Sequence, residues 1–342
     1  MTPGCDLPRY LDGIDTLMTE QNLALKQLSY RIATLEAERE PELEQEQGTA
    51  PVVEVLPELG ETVAVLRGTD LRELIEMNAP IDAALNDWLT WMRPHLMQSY
   101  ENYRYLRSRI APIYDEAGLP EALLFAMIAT ESGGKAHAVS RAGASGLLQF
   151  MRYTGRKYGL GKDGDFDTRF DPVAATHANV AYLEDRFAEL NDELPKVLAA
   201  YNGGEGRMGN LHRKYPGASL WDARIYWSLP KETRDYVPRI LAAAWLFLHP
   251  AEYGVEFPGG ATETTFVELV HDASIGELTI CLGQAAGATD GWFRTLRNLN
   301  PRVEPSDRIP AGTSVEMPSV LVEPYRDRCL DGDLIARATE LH

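Results

Sequence analysis

Basic residues are scarce in this chain of 342: 33 Lys and Arg stand against 51 Asp and Glu, a formal charge of −18. Proteins that bind through phosphates gather cations, so nucleic acid is excluded as a main partner. Cysteine occurs three times. The seven histidines (95, 137, 177, 212, 249, 271 and 342) show none of the close pairings that zinc ligands use, and no metal or other cofactor is expected. Asp163, Asp165, Asp167 and Asp171 read as an exposed acidic loop ending in a helix cap. Long apolar runs are missing too: the densest, Leu241 to Leu248, is far short of the roughly 18 residues that span a bilayer. The first residues, Met1 to Asp6, lack the basic start and apolar core of a signal peptide. Cys5 lacks the aliphatic residue three positions upstream that lipid attachment uses, and reads as an ordinary free cysteine.

What is present is the mix of a soluble globular protein, 44% hydrophobic and 25% charged, in a chain long enough for at least two folded units. The acidity is uneven. Residues 1–62 hold 13 Asp or Glu and four Lys or Arg, so nine of the 18 excess negative charges fall in under a fifth of the chain. Within 1–39, Leu11, Met18, Leu25 and Ile32 share one heptad position, with Ile14, Gln21, Leu28 and Leu35 at the other. That spacing fits a coiled coil or one amphipathic helix packed on its own domain, and makes self-association or a partner through residues 11–35 an expectation. Dense glutamate and two prolines within 40–51 make 40–62 an acidic linker.

From 63 to 253 the pattern is helical. Asp171 and Pro172 form a helix start, followed by a buried stripe of Val173, Val180, Leu183, Phe187 and Leu190. A second helix should run from Leu119 or Pro120 to Glu131, ended by Gly133 and Gly134, and a third from Thr233 to about Phe247. A second linker is expected at 254–264. The module at 265–319 reads as strand (Phe266 to Val270), helix (Ile275 to Ala286), helix (Trp292 to Leu299) and strand (Ser314 to Met317), before a tail at 320–342.

Chemistry concentrates in four short motifs. Glu131-Ser132 closes a strongly apolar segment, where desolvation turns a carboxylate into a proton donor near neutral pH. Next come Gly143-Ala-Ser-Gly-Leu-Leu-Gln149-Phe-Met151, then Ala199-Ala-Tyr201-Asn202-Gly-Gly, then Glu232-Thr-Arg-Asp-Tyr236-Val. The other carboxylates of these segments, Glu205 and Glu232, read as an exposed side chain and a helix-start residue. One glutamate without a second carboxylate suits a reaction in which the substrate supplies its own nucleophile; that glutamate acts as acid and then as base.

In order and spacing these motifs resemble the soluble lytic transglycosylase family of peptidoglycan-cleaving enzymes, over roughly residues 115–248. The continuation Phe150-Met151-x-x-Thr154-Gly155 is most like its membrane-bound lytic murein transglycosylase D branch. The resemblance implies a mainly α protein with a lysozyme-like helical catalytic domain, beside the N-terminal helical extension and a small α+β C-terminal module. It implies Glu131 as sole acid and base at the bond between N-acetylmuramic acid and N-acetylglucosamine, and Ser132 completing that motif. Ser140 and Gln149 would position the sugar, Met151 would line the cleft, Tyr201 and Asn202 would face it, and Tyr236 would hold and polarise Glu131. The substrate acetamido oxygen would be the nucleophile and a 1,6-anhydro ring the product. Peptidoglycan glycan strands become the expected partner and the periplasm or cell envelope the expected location, reached by a removed signal or another route.

The alternatives from the same residues are a muramidase like goose-type lysozyme and a catalytically silent peptidoglycan-binding scaffold. Departures from the family pattern are Lys135-Ala136, which stands for Asn-Pro with Lys135 read as a solvated loop residue, Leu148 before Gln149, and Gly203 for Ala. The module at 265–319 resembles a lysin motif whose Gly-Asp-Thr turn is replaced by Asp272-Ala-Ser274. Cys281 and Cys329 fall in or beside it, either bridged or both reduced.

Overall fold

The computed structural model describes Leu71, residues 75–288 and residues 290–330. The expected helix or coiled coil at 1–39, self-association through 11–35 and the acidic linker at 40–62 lie outside the described residues, as do 331–342 of the tail.

Asn78 opens the helical region by accepting from the Ile81 amide at 3.2 Å, which caps α1 (Ala79–Leu89). Then come α2 (Arg93–Arg104), α3 (Arg107–Glu116), α4 (Glu121–Glu131) and the short α5 (Arg152–Lys157). A two-residue antiparallel pair, β1 (Lys162–Asp163) with β2 (Phe166–Asp167), precedes α6 (Pro172–Glu189). As expected, Asp171 caps α6, accepting from the Val173 and Ala174 amides at 2.9 and 3.2 Å. After it run α7 (Leu194–Gly203), α8 (Glu205–Lys214), α9 (Ala223–Tyr226) and α10 (Lys231–Leu248).

The centre of this domain is α4. Every side chain from Ala122 to Ala129 is buried, so the helix has no polar stripe. Such a helix is stable only when others surround it, and α2, α3 and above all α10 pack against it. Pro238 lies inside α10, lacks an amide hydrogen and frees the Arg234 carbonyl. The Tyr226 hydroxyl donates to that carbonyl at 3.3 Å. Both long helices thus match the sequence expectation to within two residues, α4 ending at Glu131 and α10 starting at Lys231. The described chain is mainly helical with a small α+β part at its C-terminal end, the expected class.

The segment at 254–264 is strapped down. The buried Arg104 donates to the carbonyls of Gly259 (2.8 Å), Pro258 (3.3 Å) and Ala261 (3.2 Å), and Phe257 stacks on Tyr100 at 4.5 Å between ring centres. Beyond it, β3 (Thr264–Glu268) pairs antiparallel with β4 (Ser314–Pro318), Thr264 opposite Pro318 and Glu268 opposite Ser314. Between the strands lie α11 (Ile275–Leu282) and α12 (Phe293–Leu299), and α13 (Val322–Arg328) follows. The helix expected to reach Ala286 ends at Leu282, because Gly283 turns to φ +52° and Ala286 itself to +53°. Asp272-Ala-Ser274 is a built turn: Asp272 accepts from the Ala311 amide at 2.9 Å, and Ser274 with Glu277 forms a capping box on α11.

Cys281 and Cys329 are joined by a disulfide that ties α11 to the end of α13 across 48 residues. No described helix is long and apolar enough to cross a membrane. Replacing both bridged cysteines with serine should cost the C-terminal module about 2–4 kcal/mol in urea unfolding. An unchanged midpoint would show that the bridge adds nothing.

Candidate active site

Glu131 sits where the apolar α4 ends. Burial pushes its carboxyl up to about 7; the hydrogen bond donated by the Tyr236 hydroxyl to Oε1 works the other way, and the nearby Glu232 charge adds to the rise. Tyr236 is buried on α10 and its hydroxyl is held well above its ordinary value by the same burial and by Glu131. At neutral pH the pair can therefore hold a proton on the carboxyl with the phenol as a fixed donor to it.

The four sequence motifs are joined in a ring of hydrogen bonds. Ser132 Oγ donates to the Leu147 carbonyl at 2.7 Å, linking the first motif to the second. The Tyr201 hydroxyl donates to the Leu148 carbonyl at 2.6 Å, linking the second to the third. Thr233 Oγ1 donates to Asn202 Oδ1 at 2.8 Å, linking the third to the fourth, and Tyr236 returns to Glu131. Tyr201 is wedged edge-on against Tyr182 (5.0 Å) and Phe150 (6.0 Å). Asn202 Nδ2 reaches the exposed Glu232 at 3.5 Å.

Gln149 lies in the second motif with φ +50°, a conformation side chains rarely adopt. Its Nε2 donates to the carbonyls of Ala138 (3.0 Å) and Gly146 (2.8 Å). Both of its amide hydrogens are thus engaged by backbone carbonyls. Met151, 44% exposed, follows at the surface beside Tyr153, 83% exposed. Ser140 lies in a turn and accepts from the Ala144 amide at 3.0 Å. Ser132, besides its bond to Leu147, accepts from the amides of Gly134 and Lys135 at 3.2 Å each. Both serines therefore build the loops that carry the site. Lys135 is exposed, as expected of a loop lysine.

Two glycines are set by contact. A Cβ on Gly146 would lie 1.8 Å from the Arg169 carbonyl oxygen, and one on Gly203 would lie 2.9 Å from Thr233 Oγ1. At the second, a side chain would have to push the Thr233 hydroxyl aside.

The motifs missed Arg169. Buried and paired with Asp167, its guanidinium donates to the carbonyls of Gly143 (3.0 Å) and Phe150 (3.2 Å), holding both ends of the second motif. A lone arginine in an acidic loop gave no signal of that. Glu205, expected to be exposed, is half-buried and pairs with Arg186 (3.2 Å) and Lys157 (3.4 Å), because those two cations reach it from α6 and α5. Asp163 pairs with Arg302 at 2.7 Å. Among the described residues no three His, Cys, Asp or Glu side chains gather as a metal site. A surface pocket lined by Arg152, Arg156, Leu160 and Arg169, among others, includes neither Glu131 nor Tyr236.

A helical domain that closes four motifs around one half-buried, phenol-bonded glutamate defines a class of acid–base protein. Residues 111–222 match the family model described as "Transglycosylase SLT domain", and the chain carries a domain of that family. It is 30% identical over 211 residues to membrane-bound lytic murein transglycosylase D of Escherichia coli K12, covering 60% of this chain and 45% of that protein. It is 31% identical over 131 residues to peptidoglycan transglycosylase gp16 of phage T7, covering 38% of this chain and 10% of that one. The chain thus spans less than half the length of these curated relatives. Among solved structures, lytic transglycosylase Slt of Pseudomonas aeruginosa aligns at 25% identity with a TM-score of 0.36, over 56% of this chain and 33% of that one.

The raised Glu131 value fixes a pH dependence. A carboxyl whose folded pKa exceeds its unfolded one contributes fully to stability below the unfolded value, here about 4.5, and loses that contribution as pH rises through about 7. Glu131→Gln, neutral throughout, should therefore gain on the wild type between pH 5 and pH 8, by on the order of 2–3 kcal/mol. Melts showing the same gap at both pH values would refute a carboxyl that stays neutral to about pH 7.

Proposed function

We propose that this protein is a peptidoglycan lytic transglycosylase. It cleaves the β-1,4 bond between N-acetylmuramic acid and N-acetylglucosamine and leaves a 1,6-anhydro ring on the muramic acid. The observation that carries the reading is Glu131, raised to about 7 and bonded by Tyr236, at the meeting point of four motifs. The match of residues 111–222 to the transglycosylase SLT domain supports it.

Glu131, protonated, gives its proton to the glycosidic oxygen as the bond breaks. The carboxylate that results accepts a hydrogen bond from Tyr236, which lowers the cost of the charge in apolar surroundings. The substrate acetamido oxygen supplies the nucleophile, so no second protein carboxylate is required. Glu131 then takes the proton of the muramic acid C6 hydroxyl as that oxygen closes the ring, and the side chain ends as it began. Gln149 offers its amide oxygen to a sugar N–H or O–H, Met151 lines the saccharide cleft, and Tyr201 and Asn202 shape its wall. The β3–α11–α12–β4 module is a divergent lysin motif.

The disulfide between Cys281 and Cys329 suits an oxidising compartment. Together with the family's substrate it supports a location in the periplasm or cell envelope.

Digestion of purified murein followed by mass spectrometry tests the reading. Muropeptides ending in 1,6-anhydro-muramic acid are expected, with Glu131→Gln slower by roughly a thousandfold and Tyr236→Phe by roughly ten- to a hundredfold. The wild-type rate should fall above about pH 7, as Glu131 loses the proton it must donate. Reducing-end muramic acid alone would make the protein a muramidase. Equal background release by wild type and Glu131→Gln, with both still binding sacculi, would make it a scaffold.

A further inference from the structure

The C-terminal module is built into the helical domain. Tyr105, just past α2, is buried in the module's core with its ring edge-on to Trp292 at 5.9 Å, while Leu299 of α12 is buried in the core of the helical domain. Beside Leu299, Asn298 is 1% exposed and faces the loop that follows the Glu131 helix. Its amide nitrogen donates to the Gly134 carbonyl at 2.7 Å, and its amide oxygen accepts from the Ala136 N–H at 3.0 Å. The two bonds grip the backbone on either side of Lys135.

That loop has no strand or helix ladder to satisfy its polar groups, so side chains must do it. Asn102 of α2 donates to the Gly133 carbonyl at 2.7 Å, and Ser132 Oγ accepts from Gly134 and Lys135. Gly133 and Gly134 adopt φ +62° and +77°, and a Cβ on Gly134 would fall 2.5 Å from the Asn102 Cβ. Further on, His137 Nε2 donates to the Pro301 carbonyl at 2.9 Å, and its ring stacks on Phe170 at 5.4 Å. The Ala138 carbonyl then accepts from Gly146 N at 2.8 Å and from Gln149 Nε2. The stretch from Asn298 to the Gln149 amide is thus one continuous run of backbone held at each step.

We propose that Asn298 is a positioning residue of the active site: by fixing the backbone from Gly134 to Ala136, it sets the end of α4 that carries Glu131 and the carbonyl that orients Gln149. The assignment rests on the glutamate-centred reaction proposed above. It makes the C-terminal module a component of the catalytic apparatus, whatever its own affinity for glycan. Without Asn298 the Gly134 carbonyl and Ala136 amide lose their shared partner in a buried place, and the loop must move to find others.

The full-length protein tests this with Asn298→Ala and the near-isosteric Asn298→Asp, which removes the donor to Gly134. Initial rates on murein should show kcat down by about ten- to a hundredfold, the scale of a small displacement of catalytic groups, with KM changed less than about threefold. Hydrogen exchange should quicken at the amides of residues 133–138, while protection of α4 and α10 is kept. Wild-type kcat in either variant, or a loss confined to KM, would overturn the assignment. A wild-type protein that releases no anhydro-muropeptide would instead refute the functional reading, and this role with it. Should Asn298→Ala lose protection throughout α4 and α10, Asn298→Asp alone decides.

Discussion

Inside the helical domain two effects of opposite sign meet on one carboxyl group. Removal from water raises the Glu131 pKa, and a hydrogen bond from Tyr236 lowers it, and the first is the larger. The balance leaves the group near 7, where it can give a proton and take one back. Neither effect exists without the packing. Desolvation requires α4 to be enclosed on all sides, and the hydrogen bond requires α10 to lie against α4 with Tyr236 opposite the last residue of that helix. The unbroken apolar character of α4 is therefore both a core-forming feature and the means of tuning the acid.

The end of that enclosed helix is held in turn by the ring of hydrogen bonds among the four motifs. Each link joins a side chain of one motif to a backbone or side-chain group of a neighbouring one, so the four segments are tied to one another. The close approaches are made possible by glycine: Gly146 lies under the Arg169 carbonyl and Gly203 against Thr233. Gln149 is held at a positive φ by two hydrogen bonds through its own side chain and by Arg169 pulling on the Phe150 carbonyl beside it. Backbone strain persists only where surrounding contacts over-determine it, and here they do so at Gln149.

Much of this was legible in the chain because it follows from local rules. The apolar run into Glu131, the Asp171-Pro172 start and the Gly133-Gly134 stop each act within a few residues, and α4 and α6 begin and end accordingly. The four motifs could be picked out as chemistry, but the roles of their polar groups could not be divided by spacing alone. Ser132 and Ser140 carry the same hydroxyl as a sugar-binding residue, and only the fold shows them accepting backbone amides. Arg169 and Glu205 were hidden for a related reason: their partners lie on other elements, and a charge seen in sequence says nothing of which opposite charge will reach it. The segment at 254–264 reads as a linker by its Pro and Gly content, and the buried guanidinium that straps it belongs to Arg104, more than 150 residues earlier.

That strap changes the meaning of the second module. A module on a free tether adds binding through effective concentration and leaves the catalytic geometry untouched. Here the connection is pinned by Arg104, the two cores exchange Tyr105 and Leu299, and Asn298 holds the loop after Glu131. The module's own order rests on the β3–β4 pair, the capping box on α11 and the disulfide from α11 to α13. Whatever loosens those loosens α12, and α12 carries the side chain that satisfies Gly134 and Ala136. The stability of the C-terminal module and the geometry around Glu131 are thus linked through one buried asparagine.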